Sequence, residues 1–241
     1  MTAGVCPAGL LPHRTAGMPP RQDGTSAWRA RLRALGGLLA ELRIDVDLSG
    51  RDIQREFDAL HERLRSNHRA RDAMRPLPLP LHGLELRMRE ADGEYFVYAI
   101  DPRLQRIVAY TVFSRLVEVD RATDRHLRAP HTRVADGYRR QGIASAIYRW
   151  WLASGRSLIT GARQSAGAHG LWMALARDHE LAAVRIDARK RLAQLTLPPP
   201  AGFFGALDTR LVLVGRGCRL ADFAQPPVSP ALPAGPPRTG W

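Results

Sequence analysis

The segment from His131 to Trp151 passes from strand to helix within a few residues, and the rest of the chain must provide for both. A strand needs neighbours to pair with, and an amphipathic helix needs a layer to cover. Val134 ends the strand, and Asp136-Gly137 is a turn dipeptide. Ala144, Ile147, Tyr148 and Trp151 recur at helical spacing and give the helix an apolar face. Arg139, Gln141, Gly142 and Ala144 fall where strand gives way to helix. Amides without partners at a helix start, together with the positive end of the helix dipole, make an anion site. Gly142 lets a ligand approach the backbone, and the small Ala144 keeps the helix mouth open. Arg139 and Arg140 add two permanent positive charges.

The remaining segments are predicted from period and punctuation. Residues 1–25 are rich in Pro, Gly, Ala and Thr, have no periodicity, and are expected to form a disordered arm. Residues 26–75 read as a helical N-terminal region. Ser26 caps a first helix with Trp28, Leu32, Leu35, Leu39 and Leu42 on one face. Ser49 opens a second, with a stripe of Ile53, Phe57, Leu60 and Leu64. The two form a helical hairpin. Residues 76–83 contain Pro76-Leu-Pro-Leu-Pro80 and read as a stiff linker. The period then changes to two: Leu84, Leu86 and Met88 alternate with charged residues, and Ala91-Asp-Gly-Glu94 is a hairpin turn. Strands at Tyr95 to Ile100 and from Ile107 to Phe113, extending after a bend to Val119, complete an antiparallel meander. Asp120 to Arg128 reads as a polar loop.

After the motif helix, Leu158-Ile-Thr160 is a short strand. A helix follows with Ala168, Leu171, Trp172 and Leu175 on one face. Strands are expected at Ala182 to Ile186, Leu192 to Leu197 and Leu211 to Val214. Residues 224–241 are Pro- and Gly-bearing and are expected to be a disordered tail.

Arg139-Arg140-Gln141-Gly142-Ile143-Ala144 resembles the acyl-CoA-binding motif of the GNAT superfamily of N-acyltransferases, Arg/Gln-x-x-Gly-x-Gly/Ala between a strand and a helix. The resemblance covers about Leu84 to Leu197. It implies an α+β domain over residues 84–223, with a mixed, mostly antiparallel sheet flanked by helices. In that family a meander precedes the motif strand, and a splayed gap separates that strand from the next. The resemblance implies acetyl-CoA as acyl donor and an amine as acceptor. Arg133 and Val134 would offer strand edge to the pantetheine. Gln141, Gly142, Ile143, Ala144 and Ser145 would cradle the pyrophosphate, with charge from Arg139 and Arg140. The next helix of the family often carries Asn-x-x-Ala-x-x-Leu-Tyr; here Ser165, Ala168, Leu171 and Trp172 stand at those positions. Gln164 could supply the amide that Ser165 lacks. The family's tyrosine often protonates the departing thiolate, and an indole has no proton suited to that task. Water, Ser165 or another tyrosine would substitute, and Trp172 would either line the pantetheine slot or fill core. The acceptor pocket in this family comes from variable loops and the early helices, where the resemblance gives no guide.

The attacking amine must lose a proton. Glu118, read as lying on the strand that faces the motif strand, is one candidate base, and its alternative is a surface carboxylate. His131, at the start of the motif strand, is another, because an imidazole titrates near neutrality. No Ser/His/Asp order, His-Glu-x-x-His or phosphate-binding Gly-x-x-x-x-Gly-Lys pattern occurs, so hydrolysis through a nucleophile and metal catalysis have no support.

The formal net charge of +13 invites an acidic partner, whether CoA phosphates or nucleic acid. Lys190 is the only lysine, and such one-sided use of arginine can equally reflect genome composition. The two cysteines, Cys6 and Cys218, form no metal spacing and no disulfide framework. No signal-peptide pattern or membrane-spanning run is present, which makes the cytoplasm the expected compartment. The function expected is transfer of acetyl from acetyl-CoA to a primary amine. The alternative is a non-catalytic module of the same fold that binds CoA or nucleic acid.

Overall fold

A computed structural model of the chain describes residues 50–197, 202–203 and 205–227. The first predicted helix and most of the predicted tail lie outside these residues, as does the N-terminal arm. The described chain forms helices α1 (Gly50–Ser66) and α2 (His68–Asp72), followed by strands β1 (Arg75–Pro76), β2 (Glu85–Ala91), β3 (Glu94–Asp101) and β4 (Arg106–Ser114). Helix α3 (Arg121–Asp124), strand β5 (Leu127–Val134), helix α4 (Ile143–Ala153), strand β6 (Ser157–Ile159) and helix α5 (Ala166–Leu175) come next. Strands β7 (Leu181–Ile186), β8 (Leu192–Gln194), β9 (Thr209–Leu213) and β10 (Ala224–Gln225) complete the order.

The strands make one sheet in the order β1-β2-β3-β4-β5-β6-β9-β7-β8-β10. Among the described residues, only β5–β6 and β8–β10 pair in parallel. The fold is therefore α+β, a mixed and mostly antiparallel sheet flanked by helices, in the element order that the resemblance implies. Asp92 and Gly93 both have positive φ, 54° and 75°, as a two-residue hairpin between β2 and β3 requires.

Alternation along the strands divides the apolar residues between two faces. On one face Val97, Ala99, Ala109 and Phe113 meet Ile147, Trp151 and Leu152 of α4 and Trp172 and Leu175 of α5. The Phe113 and Trp151 rings stack at 3.9 Å. On the other face Ile53, Phe57 and Leu64 of α1 cover Tyr98, Ile107 and Tyr110. Farther along that face, Leu116 and Val119 cover Val184 and Val212.

Four expectations need correction. The proline run, read as a stiff linker, joins the sheet: Arg75–Pro76 pairs with Met88 and Arg87, Leu77 N–H donates to Leu86 C=O at 2.8 Å, and Leu77 is buried. Proline is tolerated there because β1 is an edge strand. Strand β4 stops at Ser114 rather than continuing to Val119, since the buried Asp124 carboxylate takes the Leu116 amide at 2.8 Å. The polar loop contains α3, capped by Asp120. At the far end, β10 carries the sheet beyond Phe223, to Gln225.

Candidate functional site

Strands β5 and β6 form a fork. They pair at Leu127↔Ser157 and Arg128↔Leu158, and no further rung joins them among the described residues. The other edge of β5 stays paired with β4 up to Val134. One sequence feature ends the β5–β6 ladder. Pro130 has no N–H to give where the next rung would need one. On β6, Thr160 N–H donates to Leu211 C=O at 2.9 Å, while Thr160 Oγ1 accepts the Leu211 N–H at 3.0 Å, so this end of the strand is tied to β9. The Ala135 N–H bonds Val108 C=O, which sets the odd-numbered peptide groups of β5 toward β4. Alternation then turns the peptide groups of Thr132 and Val134 into the fork.

The motif turn closes the mouth of this fork. Asp136–Tyr138 is one turn of 3-10 helix. Tyr138 Oη donates to Asp101 Oδ2 at 2.6 Å, which ties the turn to the end of β3. Arg140 and Gly142 have positive φ, 61° and 79°. A Cβ at Gly142 would meet nothing within 4 Å, so the glycine is there for its backbone angle and leaves the space beside it open. Helix α4 has no side-chain cap. Its first backbone bond runs from Ala146 N–H to Gly142 C=O at 2.9 Å, which leaves the amides of Ile143, Ala144 and Ser145 without an intrahelical acceptor. Arg139 and Arg140 are exposed beside them. Arg139 pairs with Asp136 at 3.1 Å and reaches Val134 C=O at 3.4 Å. The Gln141 side chain donates to Gly137 C=O at 2.9 Å, so it braces the turn. Ile143 is buried in the core. The open space, the uncapped amides and the fork together suit a phosphate-bearing thioester.

The α1 side of β5 has a different character. His131 lies against Tyr110, with ring centroids 6.3 Å apart. Arg133 Nε is 3.6 Å from Glu56 Oε2, and Tyr110 donates its hydroxyl proton to the same carboxylate. His131 keeps an exposed edge. The protein packed around its ring, and then the Arg133 charge, hold its pKa below the ordinary value, with Glu56 partly offsetting them. Burial, then the Glu56 hydrogen bond, raise the pKa of Tyr110. Arg133 therefore turns its peptide group to β4 and its side chain to Glu56, not its edge to the fork as expected.

The other predicted residues are distributed more widely. Glu118 lies in the loop after β4, not on a strand, and its carboxylate is ion-paired with the buried Arg210 of β9. Ser165 caps α5, its Oγ accepting the Ala168 N–H at 3.2 Å. Gln164 borders a small recess with Thr160, Gly161 and Arg210 on the β6 side of the fork. Trp172 is 2% exposed and fills core rather than lining a slot. His169 is buried on α5 and its pKa is lowered by desolvation. Tyr148 Oη lies 3.1 Å from Thr132 Oγ1, and burial pushes its pKa up to about 12. Sequence reasoning missed Pro130, Glu56 and the Asp101–Tyr138 bond. A proline inside the motif strand was the one available signal.

No family model matches the chain, and no curated protein matches it. Solved structures are similar to it. A cAMP-binding acyltransferase from Mycobacterium smegmatis aligns with 70% of this chain and 54% of its own, at 13% identity and a TM-score of 0.35. A variant of that protein is covered over 48% of its length, so the chain spans about half of it. A GNAT superfamily phosphinothricin acetyltransferase from Sinorhizobium meliloti, in complex with acetyl-CoA, aligns with 71% of this chain and 88% of its own, at 15% identity and a TM-score of 0.33. A ribosomal-protein-alanine N-acetyltransferase from Brucella melitensis aligns with 80% and 96%, at 17% identity and a TM-score of 0.26.

Proposed function

We propose that this chain is an acyl-CoA-dependent N-acyltransferase that moves acetyl from acetyl-CoA to a primary amine. The observation that carries this reading is the fork between β5 and β6 with the Gly142 turn and the uncapped start of α4 at its mouth. The amides of Ile143, Ala144 and Ser145, with Arg139 and Arg140, bind the pyrophosphate. The fork edge at Thr132 and Val134 binds pantetheine. An amide turned into the fork donates to the oxyanion as the amine attacks the thioester carbonyl. No described helix is long and apolar enough to cross a membrane.

Calorimetric titration of acetyl-CoA tests the site, beside an Arg139→Glu/Gly142→Glu double variant. Binding by the parent protein, lost in a variant that keeps its circular dichroism spectrum, is the expected result. No heat from the folded parent protein sinks the reading.

A second reading is favoured by one observation. Trp172 is in the core and the Ser165 Oγ accepts the Ala168 N–H, so α5 offers no tyrosine to protonate the leaving thiolate. On that reading the fork binds CoA without turnover, or the arginine-rich surface binds nucleic acid. Release of CoA thiol in the presence of amines separates turnover from mere binding. Retention on RNA or DNA at low salt tests the nucleic-acid branch.

A further inference from the structure

Helix α1 lies outside the part of the chain that resembles the GNAT superfamily, yet it brings a carboxylate to the motif strand. Glu56 meets Arg133 of β5 and Tyr110 of β4, and the exposed edge of His131 lies beside Tyr110. The peptide group of Thr132, between His131 and Arg133, is turned into the fork. We propose that this face is the acceptor side of the site: His131 takes a proton from the incoming ammonium, while Glu56, held by Tyr110 and Arg133, attracts and orients that ammonium. The proposal rests on the reading of the fork as the acyl-CoA slot.

The chemistry is consistent with the charges present. A cationic amine needs an anionic group to gather it, and the Glu56 side chain is 37% exposed, held by an arginine whose charge offsets part of its own. The base must be neutral to accept a proton. Arg133 and the surrounding protein favour the neutral imidazole, and Glu56 opposes them. The ammonium proton passes to His131, and the free amine attacks the thioester carbonyl. The C–N bond forms and the C–S bond breaks. The second proton lost from nitrogen goes to the CoA thiolate, and His131 returns its own proton to solvent. Glu56 and Tyr110 are positioning residues in this scheme.

The test uses the full chain and nuclear magnetic resonance of the His131 C2–H, assigned by its loss in His131→Gln. Acetyl-CoA binding is measured on the same samples by calorimetry. Three results are expected. Saturating acetyl-CoA shifts the His131 resonance. Glu56→Gln lowers the pKa of His131 by removing a negative neighbour. Arg133→Met raises it by removing a positive one. Acetyl-CoA that binds without moving His131 overturns the acceptor side and leaves the CoA slot intact. Equal His131 pKa values in all three proteins overturn the cluster. No binding of acetyl-CoA at all overturns both readings, and the calorimetric trace identifies that case by itself.

Discussion

Asp101 is a buried carboxylate that accepts the Tyr138 hydroxyl proton and the Arg103 and Leu104 amides. The Tyr138 bond first, then these amides and the Arg103 charge, hold its pKa below the ordinary 3.8, against the opposing pull of burial. A carboxylate whose folded pKa is depressed stabilises the fold at pH values above its unfolded pKa. That stability is lost as pH falls through the lower, folded value. Tyr138→Phe removes the largest of these effects, so acid unfolding of the variant, followed by circular dichroism, should begin at a higher pH than in the parent. The same change frees the motif turn from β3 and should weaken acetyl-CoA binding. Glu118 shows the opposite relation between sequence and role. Its type and region suited a base, but its charge balances that of the buried Arg210. The sequence could not reveal this, because Arg210 lies far along the chain and only the sheet brings the two together.

The fork between β5 and β6 depends on a missing donor. A parallel ladder needs a rung at every second residue, and Pro130 cannot supply the next after Arg128. Pro130→Ala restores that N–H. It should add exchange protection at residue 130, narrow the fork and weaken acetyl-CoA binding; an unprotected amide with unchanged affinity would show that the missing donor does not hold the fork open. Helix α4 needs no such device. Of its predicted apolar stripe, Ile147, Tyr148 and Trp151 are buried on the sheet, joined by Ile143 and Leu152, while Ala144 is half-buried. Its start is open because Gly142 caps it with a left-handed backbone and no side chain. Elements of this kind were legible because each is set by neighbours within one or two turns. The end of β4 was not, since the carboxylate that intercepts its ladder comes from α3.

Helix α1 and the proline run belong to the folded body rather than to an appendage. Phe57 is 3% exposed and packs edge-on against Tyr110 at 5.8 Å. Phe57→Ala should cost about 3–5 kcal/mol. It should lower the thermal midpoint of a single transition; a separate low-temperature step would mean that α1 unfolds alone. The same packing delivers Glu56 to β5, so loss of α1 would remove part of the proposed acceptor side as well as stability. The sequence by itself determined the meander, the hairpin at Asp92-Gly93, the glycine turn and most of the apolar face of α4, because periodicity, caps and turn residues act locally. Tertiary structure alone decided the pairing of Glu118 with Arg210, the burial of Trp172 and the meeting of Glu56 with Arg133 beside His131. These depend on strand register and on which face of the sheet a helix covers. Both are settled by long-range pairing and burial, which residue spacing along the chain does not encode.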